Sequence, residues 1–146
     1  MHHQRTIERV VDLTDPARNV IYNMTVDEAR ARVASGDPVA VGGIDGQFAL
    51  LGTSGQNVLL ARSISRPLRF FIAKRAEGPC LVAADRIDAI HGWLREHGLA
   101  EQFHPSYTRM VPAHHLMSVA LVGCPDPSPK LSRFFDPPRG GLRPDV

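Results

Sequence analysis

The sequence predicts an α+β fold in which an antiparallel sheet is layered with helices. Residues 39–84 contain four short apolar runs separated by turn signals, over 47–51, 57–62, 68–73 and 80–84. This pattern is typical of a four-stranded antiparallel meander. Two flanking segments, which begin at Thr25 and at Asp85, have apolar residues at helical spacing and predict helices that cover the sheet.

Length and composition agree with one ordinary domain. The chain has 146 residues, of which 43% are apolar and 22% are charged, and these values exclude a disordered or fibrous body. We expect a single domain over residues 1–124. Residues 125–146 are rich in proline and predict an extended, poorly packed arm.

Charge and cysteine content limit the partners and the compartment. The net charge of +2 is small and the arginines are scattered, so the sequence predicts no nucleic-acid partner. Apolar stretches are shorter than the ~20 residues of a membrane span, and the amino terminus does not resemble an export signal. With only two cysteines, these features indicate a cytoplasmic protein outside the membrane. A homo-oligomer is compatible with the sequence.

The segments before the meander predict strands and a capped helix. Residues 5–13 alternate loosely between polar and β-branched residues and predict a strand, and a second short strand is expected at 19–22. Thr25 then precedes two acidic residues, a pattern in which a side-chain oxygen caps the first helical amides. The helix is expected to end at the Ser-Gly-Asp-Pro sequence of residues 35–38.

The segments after the meander predict a helix, a loop, a strand and the arm. The helix that follows Asp85 has strong three- and four-residue apolar spacing and is expected to end at Gly98. A last strand is expected over 117–122. The arm carries adjacent aromatic residues, Phe134 and Phe135, which we expect to dock either on a partner or on the domain's own surface.

The loop over residues 104–109 is a candidate binding site. It places the imidazole of His104, the phenol of Tyr107 and the guanidinium of Arg109 close together in the sequence. Two interpretations remain open. The side chains either brace the loop internally, or they bind an anion or a partner protein with Arg109 as a fork-shaped donor.

The remaining histidines and Cys80 do not predict a metal, a cofactor or a nucleophile. His114 and His115 are adjacent and would point in opposite directions in a strand. His91 and His97 are six residues apart and would lie on different faces of a helix. We expect Cys80 to be a small buried apolar residue of a strand.

Five segments follow one another in an order that points to a known family. They are Ile-Asp-Gly-Gln-Phe-Ala at 44–49, Ala-Arg-Ser at 61–63 with Arg-Pro-Leu-Arg-Phe at 66–70, Leu-Val-Ala-Ala-Asp-Arg-Ile-Asp-Ala-Ile at 81–90, Val-Pro-Ala-His-His-Leu at 111–116, and Arg-Phe-Phe-Asp-Pro at 133–137. Together they resemble the second half of the class II glutamine amidotransferase domain that begins asparagine synthetases. The resemblance implies a degenerate, cut-down Ntn-hydrolase-like fold.

Three departures from the family lead us to expect no glutaminase activity. The family's nucleophile is an amino-terminal cysteine with a free α-amine, whereas this sequence starts Met1-His2-His3. Too few residues precede Thr25 to form the strands that carry the family's substrate-binding Arg and its oxyanion-stabilising Asn-Gly pair. Ser63 replaces the acidic residue that follows the hairpin Arg.

The resemblance implies a non-catalytic, pseudo-amidotransferase module that binds an ATP-using, amide- or lactam-forming synthetase on another polypeptide. The candidate binding or interface residues are Arg62, His104, Tyr107, Arg109, His114, His115, Phe134 and Phe135. Two alternatives remain open, and with them whether the chain is an enzyme. One is a small hydrolase or transferase that uses the loop over 104–109 with one of the two adjacent histidines as base. The other is a small-molecule sensor with a remodelled pocket.

Overall fold

The computed structural model describes residues 5–6, 9–55, 57–73, 80–120, 122–123 and 130–135. Its strands are β1 (Arg5–Thr6), β2 (Arg9–Asp12), β3 (Val20–Ile21), β4 (Gly46–Gln47), β5 (Ala49–Ser54), β6 (Asn57–Arg62), β7 (Arg69–Ala73), β8 (Cys80–Ala84), β9 (Arg109–Met110), β10 (His115–Ala120), β11 (Val122–Gly123) and β12 (Lys130–Arg133). Its α-helices are α1 (Val26–Ala34), α2 (Pro38–Gly42) and α3 (Ile87–Glu96). The fold is therefore α+β, as predicted.

The strands form two four-stranded sheets and two short ribbons. Sheet I has the order β12-β10-β6-β5 and is antiparallel throughout. Sheet II has the order β2-β8-β7-β9, in which β2 runs parallel to β8 and the other pairs are antiparallel. The ribbons pair β1 with β11 and β3 with β4.

The predicted single meander is wrong, because its two hairpins belong to different sheets. β5 and β6 pair in sheet I, whereas β7 and β8 pair in sheet II. The physical reason is that these strands are apolar on both faces. All five residues of β8 are buried, for example, so each hairpin needs a second sheet on one face and a helix on the other.

The layers are helix, sheet, sheet and helix. The alternate side chains of β5, β6, β7, β8 and β10 meet between the two sheets, where Leu60, Phe70 and Leu81 are buried. The opposite face of sheet I packs on α1 and α2, with Val33 in the contact. The opposite face of sheet II packs on α3, with Leu94 in the contact.

Helix α1 begins where the sequence predicts it. The backbone N–H of Glu28 donates to Oγ1 of Thr25 at 3.1 Å, and the N–H of Thr25 donates to the Glu28 carboxylate at 2.9 Å. The hydrogen bonds that the Glu28 carboxylate receives from the backbone and side chain of Thr25 hold its pKa below its ordinary value. An N-cap of this kind stabilises a helix by about 1 kcal/mol. Gly52 of β5 lets the helix approach closely, because a Cβ at that position would lie 2.9 Å from the Cβ of Ala34.

Helix α2 was not predicted. The Ser-Gly-Asp-Pro sequence that ends α1 also starts α2, since Asp37 caps the N–H of Val39 at 2.9 Å and Pro38 occupies the first turn. Aspartate and proline are common both in turns and at helix starts, so this sequence marks the end of α1 and the beginning of α2. The short helix lies against sheet I and α1.

Helix α3 follows the predicted spacing and ends before Gly98, whose φ is +71°. Asp85 does not cap it. The carboxylate of Asp85 instead accepts a hydrogen bond from Arg66 at 3.0 Å, and the two residues are only 7% and 6% exposed. Arg18, on the surface, lies 3.6 Å from the same oxygen.

The carboxyl-terminal segment is partly built into the sheet. Within residues 125–146, which the sequence assigns to an extended arm, β12 pairs with β10 and forms one edge of sheet I. Residues 124–129 and 136–146 lie outside the described residues. None of the helices in the described ranges is long and apolar enough to cross a membrane.

Candidate functional site

Three segments that are distant in the sequence meet at one end of sheet I. β6 ends at Arg62, the loop over 111–114 leads into β10, and β12 ends at Arg133. Leu116 pairs with Ala61, and His115 lies directly opposite Arg133. We name this region the junction surface and define it by Arg62, Ile64, His114, His115, Arg133 and Phe135.

Arg62 connects the segments through its guanidinium group. Its Nε donates to the carbonyl oxygen of Val111 at 2.5 Å, and its Nη1 makes longer contacts, at 3.3–3.4 Å, with carbonyl oxygens of the loop over 63–66. Burial and the nearby charge of Arg69 lower the pKa of Arg62. Leu60 faces sheet II, and Arg62, two residues further along β6, lies on the same face of the strand. Arg62 therefore lies at the edge of the apolar layer between the two sheets.

The backbone of His114 has an unusual conformation. Its φ is +62°, a left-handed conformation that is uncommon outside glycine. Its N–H donates to the carbonyl of Arg62 at 3.1 Å, and its carbonyl accepts the N–H of Phe134 at 2.9 Å. The backbone of His114 thus ties the end of β6 to the end of β12.

The environment of His114 disfavours the protonated form of its imidazole. Burial lowers its pKa below the ordinary histidine value, and the positive charges of Arg133, Arg62 and His115 lower it further. His115 forms a 2.9 Å hydrogen bond between its Nδ1 and the carbonyl of Ala113. The junction surface therefore brings basic side chains together around the His114 ring.

The two aromatic residues of the arm have different environments. Phe134 is half-buried on the helix-covered face of sheet I, with its ring centroid 6.0 Å from that of Phe48. Phe135 is 45% exposed and meets the His114 ring edge-on at 4.8 Å. Of the two predicted docking modes, Phe134 adopts the one on the domain's own surface. Phe135 remains accessible.

The loop over 104–109 is braced by its own side chains. The Nδ1 of His104 accepts the N–H of Ser106 at 3.1 Å, and Thr108 Oγ1 donates to the carbonyl of Pro105 at 2.6 Å. Tyr107 is 68% exposed and contacts the His104 ring at 5.5 Å. Arg109 lies in β9 opposite Phe70. Within the described part of the chain, no hydrogen bond or ring contact of His104 or Tyr107 reaches the junction surface.

The remaining predicted residues have structural roles. Cys80 is fully buried in β8, as predicted. The hydroxyl of Ser63 accepts the N–H of Phe48 at 2.9 Å, which fastens the start of β5 to the end of β6. His91 stacks on Phe103 and His97 stacks on Trp93. Among the described residues, no cluster of three or more metal-binding side chains occurs.

A separate groove of about 270 Å³ lies on the helix side of sheet I. Ser118, Lys130 and Ser132 form part of its floor, which β10 and β12 supply. Asn57 also lines it, at the opposite end of β6 from Arg62. The groove is therefore distinct from the junction surface.

No protein-family model matches the sequence, and no curated protein matches it significantly. The likeness to amidotransferase domains consequently rests on the five sequence segments and their order.

Sequence reasoning identified most of the junction surface but missed two parts of it. Arg62, His114, His115 and Phe135 were candidates, whereas Ile64 and Arg133 were not. Ile64 is 73% exposed although it is strongly apolar. Its position directly after the Ala-Arg-Ser segment was the available signal, but its exposure depends on the turn over 63–66.

Proposed function

We propose that the chain is a non-catalytic, amidotransferase-like module that binds and supports an ATP-using, asparagine-synthetase-like enzyme, which forms an amide or lactam. One observation carries the proposal. Three of the segments that resemble the family, at 61–63, 111–116 and 133–137, lie far apart in the sequence, yet the described parts of all three meet at the junction surface. Unrelated segments with a chance resemblance have no reason to converge.

The layered architecture also supports the proposal. A degenerate Ntn-hydrolase-like fold requires antiparallel strands covered by helices, and the helix–sheet–sheet–helix order is compatible with that requirement. Fold alone does not assign a function, so the proposal depends on the properties of the interface. A synthetase partner would place the complex in the cytoplasm.

The junction surface has the composition of a small binding surface. Two residues expose apolar side chains here: Ile64, whose carbonyl oxygen contacts Arg62, is 73% exposed, and Phe135, whose ring contacts that of His114, is 45% exposed. Aromatic and arginine side chains are the residues that most often dominate binding energy at protein interfaces. In the resembled family, the segment that corresponds to 133–137 leads to the synthetase domain, so we place the partner at this end of sheet I.

Partner binding should depend on Phe135. Affinity capture from the native host, followed by mass spectrometry, identifies the synthetase, and calorimetry with the purified partner then gives the dissociation constant. We expect Phe135→Ser to weaken binding at least tenfold, because truncating an aromatic anchor removes 1.4 kcal/mol or more. The melting temperature should change by only a few degrees.

Tyr107→Ser is the matched control, because Tyr107 is also an exposed aromatic residue but lies in the self-braced loop. It should leave the dissociation constant within about twofold of the wild type. Capture of no synthetase-domain protein would refute the proposed function. Equal weakening by both substitutions would refute the location of the interface.

The chain should release no ammonia from glutamine above background. The resembled glutaminases need an accessible thiolate nucleophile, and the one cysteine among the described residues, Cys80, is 0% exposed within the core of sheet II. A coupled ammonia assay with the purified chain measures this directly. Ammonia release that a glutamine-analogue alkylator abolishes would show that the chain is a glutaminase after all.

A further inference from the structure

The outer edge of β5 carries backbone groups that have no partner among the described residues. β6 pairs with the inner edge of this strand. The N–H of Ala49 points to the outer edge, where it donates to Oδ1 of Asn19 at 2.9 Å. Because backbone groups alternate in direction along a strand, those of Leu51 and Thr53 point to the same edge. In the described part of the chain they meet no donor or acceptor there.

The pairing that the chain supplies along this edge stops near Ala49. β3 pairs with β4, the short strand that leads into β5, and the Asn19 side chain then takes the place of a backbone partner. The preceding residues, Pro16–Arg18, form a 3-10 turn instead of continuing the strand. Within the described ranges, the edge of β5 is therefore uncovered from Leu51 onward.

A groove of about 460 Å³ follows the uncovered part of the edge, and β5 contributes residues 51–53 to it. We name it the β5-edge groove. One wall contains Arg30 of α1, and the other contains Asp12, Thr14 and Pro16 from the end of β2 and the turn after it. Because α1 and sheet II cover opposite faces of sheet I, the basic and the acidic wall lie on opposite sides of the edge.

The two charged walls do not neutralise each other. The described structure contains no ion pair between Arg30 and Asp12. Arg30 contacts the carboxylate of Asp27 at 3.4 Å, but the Asp27 side chain is 93% exposed, and such a surface pair contributes little. Asp12 accepts the N–H and the hydroxyl of Thr14 with one carboxylate oxygen. Both charges are therefore available to a ligand in the groove.

The ligand has to match both the backbone groups and the charges. The outward groups of Leu51 and Thr53 recur after about 6.8 Å, which is the repeat of a second extended chain. Such a chain can pair with both residues and extend the sheet. Its successive side chains point to opposite faces, so one of two neighbours is directed to Arg30 and the other to Asp12. This arrangement favours an acidic residue next to a basic one.

We propose that the β5-edge groove binds an extended segment of a partner protein, which adds a strand to sheet I and carries an acidic residue next to a basic one. The acidic side chain lies towards Arg30 and the basic one towards Asp12. β5 and β12 are the two edges of sheet I, so this site is separate from the junction surface. It does not depend on the proposed synthetase partner.

Amide hydrogen exchange tests the strand pairing. The probe is acetyl-Val-Glu-Lys-Val-amide, titrated into the isotope-labelled full chain and followed by NMR. We expect exchange at the N–H groups of Leu51 and Thr53 to slow by about tenfold or more, because the new hydrogen bonds must open first. The N–H groups of Leu50 and Gly52 face β6 and should not respond. The same peptide with every backbone nitrogen methylated should bind about tenfold more weakly, since it cannot donate to the strand.

Charge variants test the two walls. Arg30→Gln should weaken binding of the probe about threefold, as expected for a partly exposed ion pair, and should not affect a probe with Gln in place of Glu. Asp12→Asn keeps an acceptor for Thr14 and should weaken the probe similarly, but not a probe with Gln in place of Lys. Arg95→Gln is the matched control, because Arg95 is an exposed arginine of α3 outside the groove. It should leave the dissociation constant unchanged.

Absence of binding, protection confined to other residues, or equal binding of the methylated peptide would overturn the inference. Equal effects of Arg30→Gln and Arg95→Gln would overturn the assigned charge recognition. Protection of Leu51 and Thr53 without peptide, if it rises with protein concentration, would show that a second copy of the chain occupies the edge instead. None of these results bears on the capture of a synthetase through Phe135.

Discussion

Asp85→Ala is expected to lower the free energy of unfolding by about 3–5 kcal/mol, because it leaves a buried arginine without its counter-charge. Arg66 is 6% exposed, its Nη2 donates to Asp85 at 3.0 Å, and its buried Nε has no acceptor among the described residues. Removing the carboxylate therefore leaves the guanidinium with neither water nor charge around it. Equilibrium unfolding in urea measures the effect, provided that the m-value is unchanged.

Two control variants test whether the loss of stability comes from leaving Arg66 buried without a counter-charge. Arg18→Ala removes only the surface arginine, 3.6 Å from the same carboxylate, and should change stability by less than about 1 kcal/mol. The double variant Arg66→Met with Asp85→Leu replaces the whole pair by apolar groups and should recover most of the lost stability. If the double variant is no more stable than Asp85→Ala, the buried arginine is not the cause.

Phe134→Ala is expected to destabilise the domain by about 2 kcal/mol, roughly half the 3–5 kcal/mol of a fully buried phenylalanine. Phe134 is half-buried against Phe48 in the layer between sheet I and its helices, and its N–H donates to the carbonyl of His114. For a chain of 146 residues this corresponds to a fall in melting temperature of roughly 5 °C. Scanning calorimetry provides the measurement.

Phe135→Ala is the matched control for this substitution. Phe135 is the next residue along the chain, but its side chain is 45% exposed, and its ring contacts the His114 ring edge-on at 4.8 Å between centroids. Its truncation should lower stability by less than about 1 kcal/mol. A larger effect from Phe135 than from Phe134 would contradict the observed packing of the two rings.

Local signals predicted helices α1 and α3 and the pairing of β5 with β6. The Thr25 cap, the apolar spacing of α3 and the turn at Gly55 act within a few residues, so a single sequence contains all of their determinants. The same locality explains why α2 was missed. Asp37 and Pro38 fit a turn and a helix start equally well, and only the contact with sheet I decides between them.

The partners of the strands could not be predicted in the same way. A strand that is apolar on both faces can join any sheet whose two sides are covered, so the apolar runs do not distinguish one meander from two sheets. The strand β12 shows a related limit. Residues 130–133 read as part of a proline-rich arm, yet their backbone groups pair with β10 and extend sheet I.

The sequence by itself determined the α+β class, the α1 and α3 helices and the burial of Cys80. Only the tertiary structure decided that Arg62, His114 and Phe135 meet, that the loop over 104–109 is braced internally, and that Phe134 and Phe135 have different environments. The division follows from the range of the forces involved. Capping and apolar periodicity act between neighbours in the chain, whereas convergence of strand ends depends on which strands pair, and that is settled by burial of both faces of each sheet.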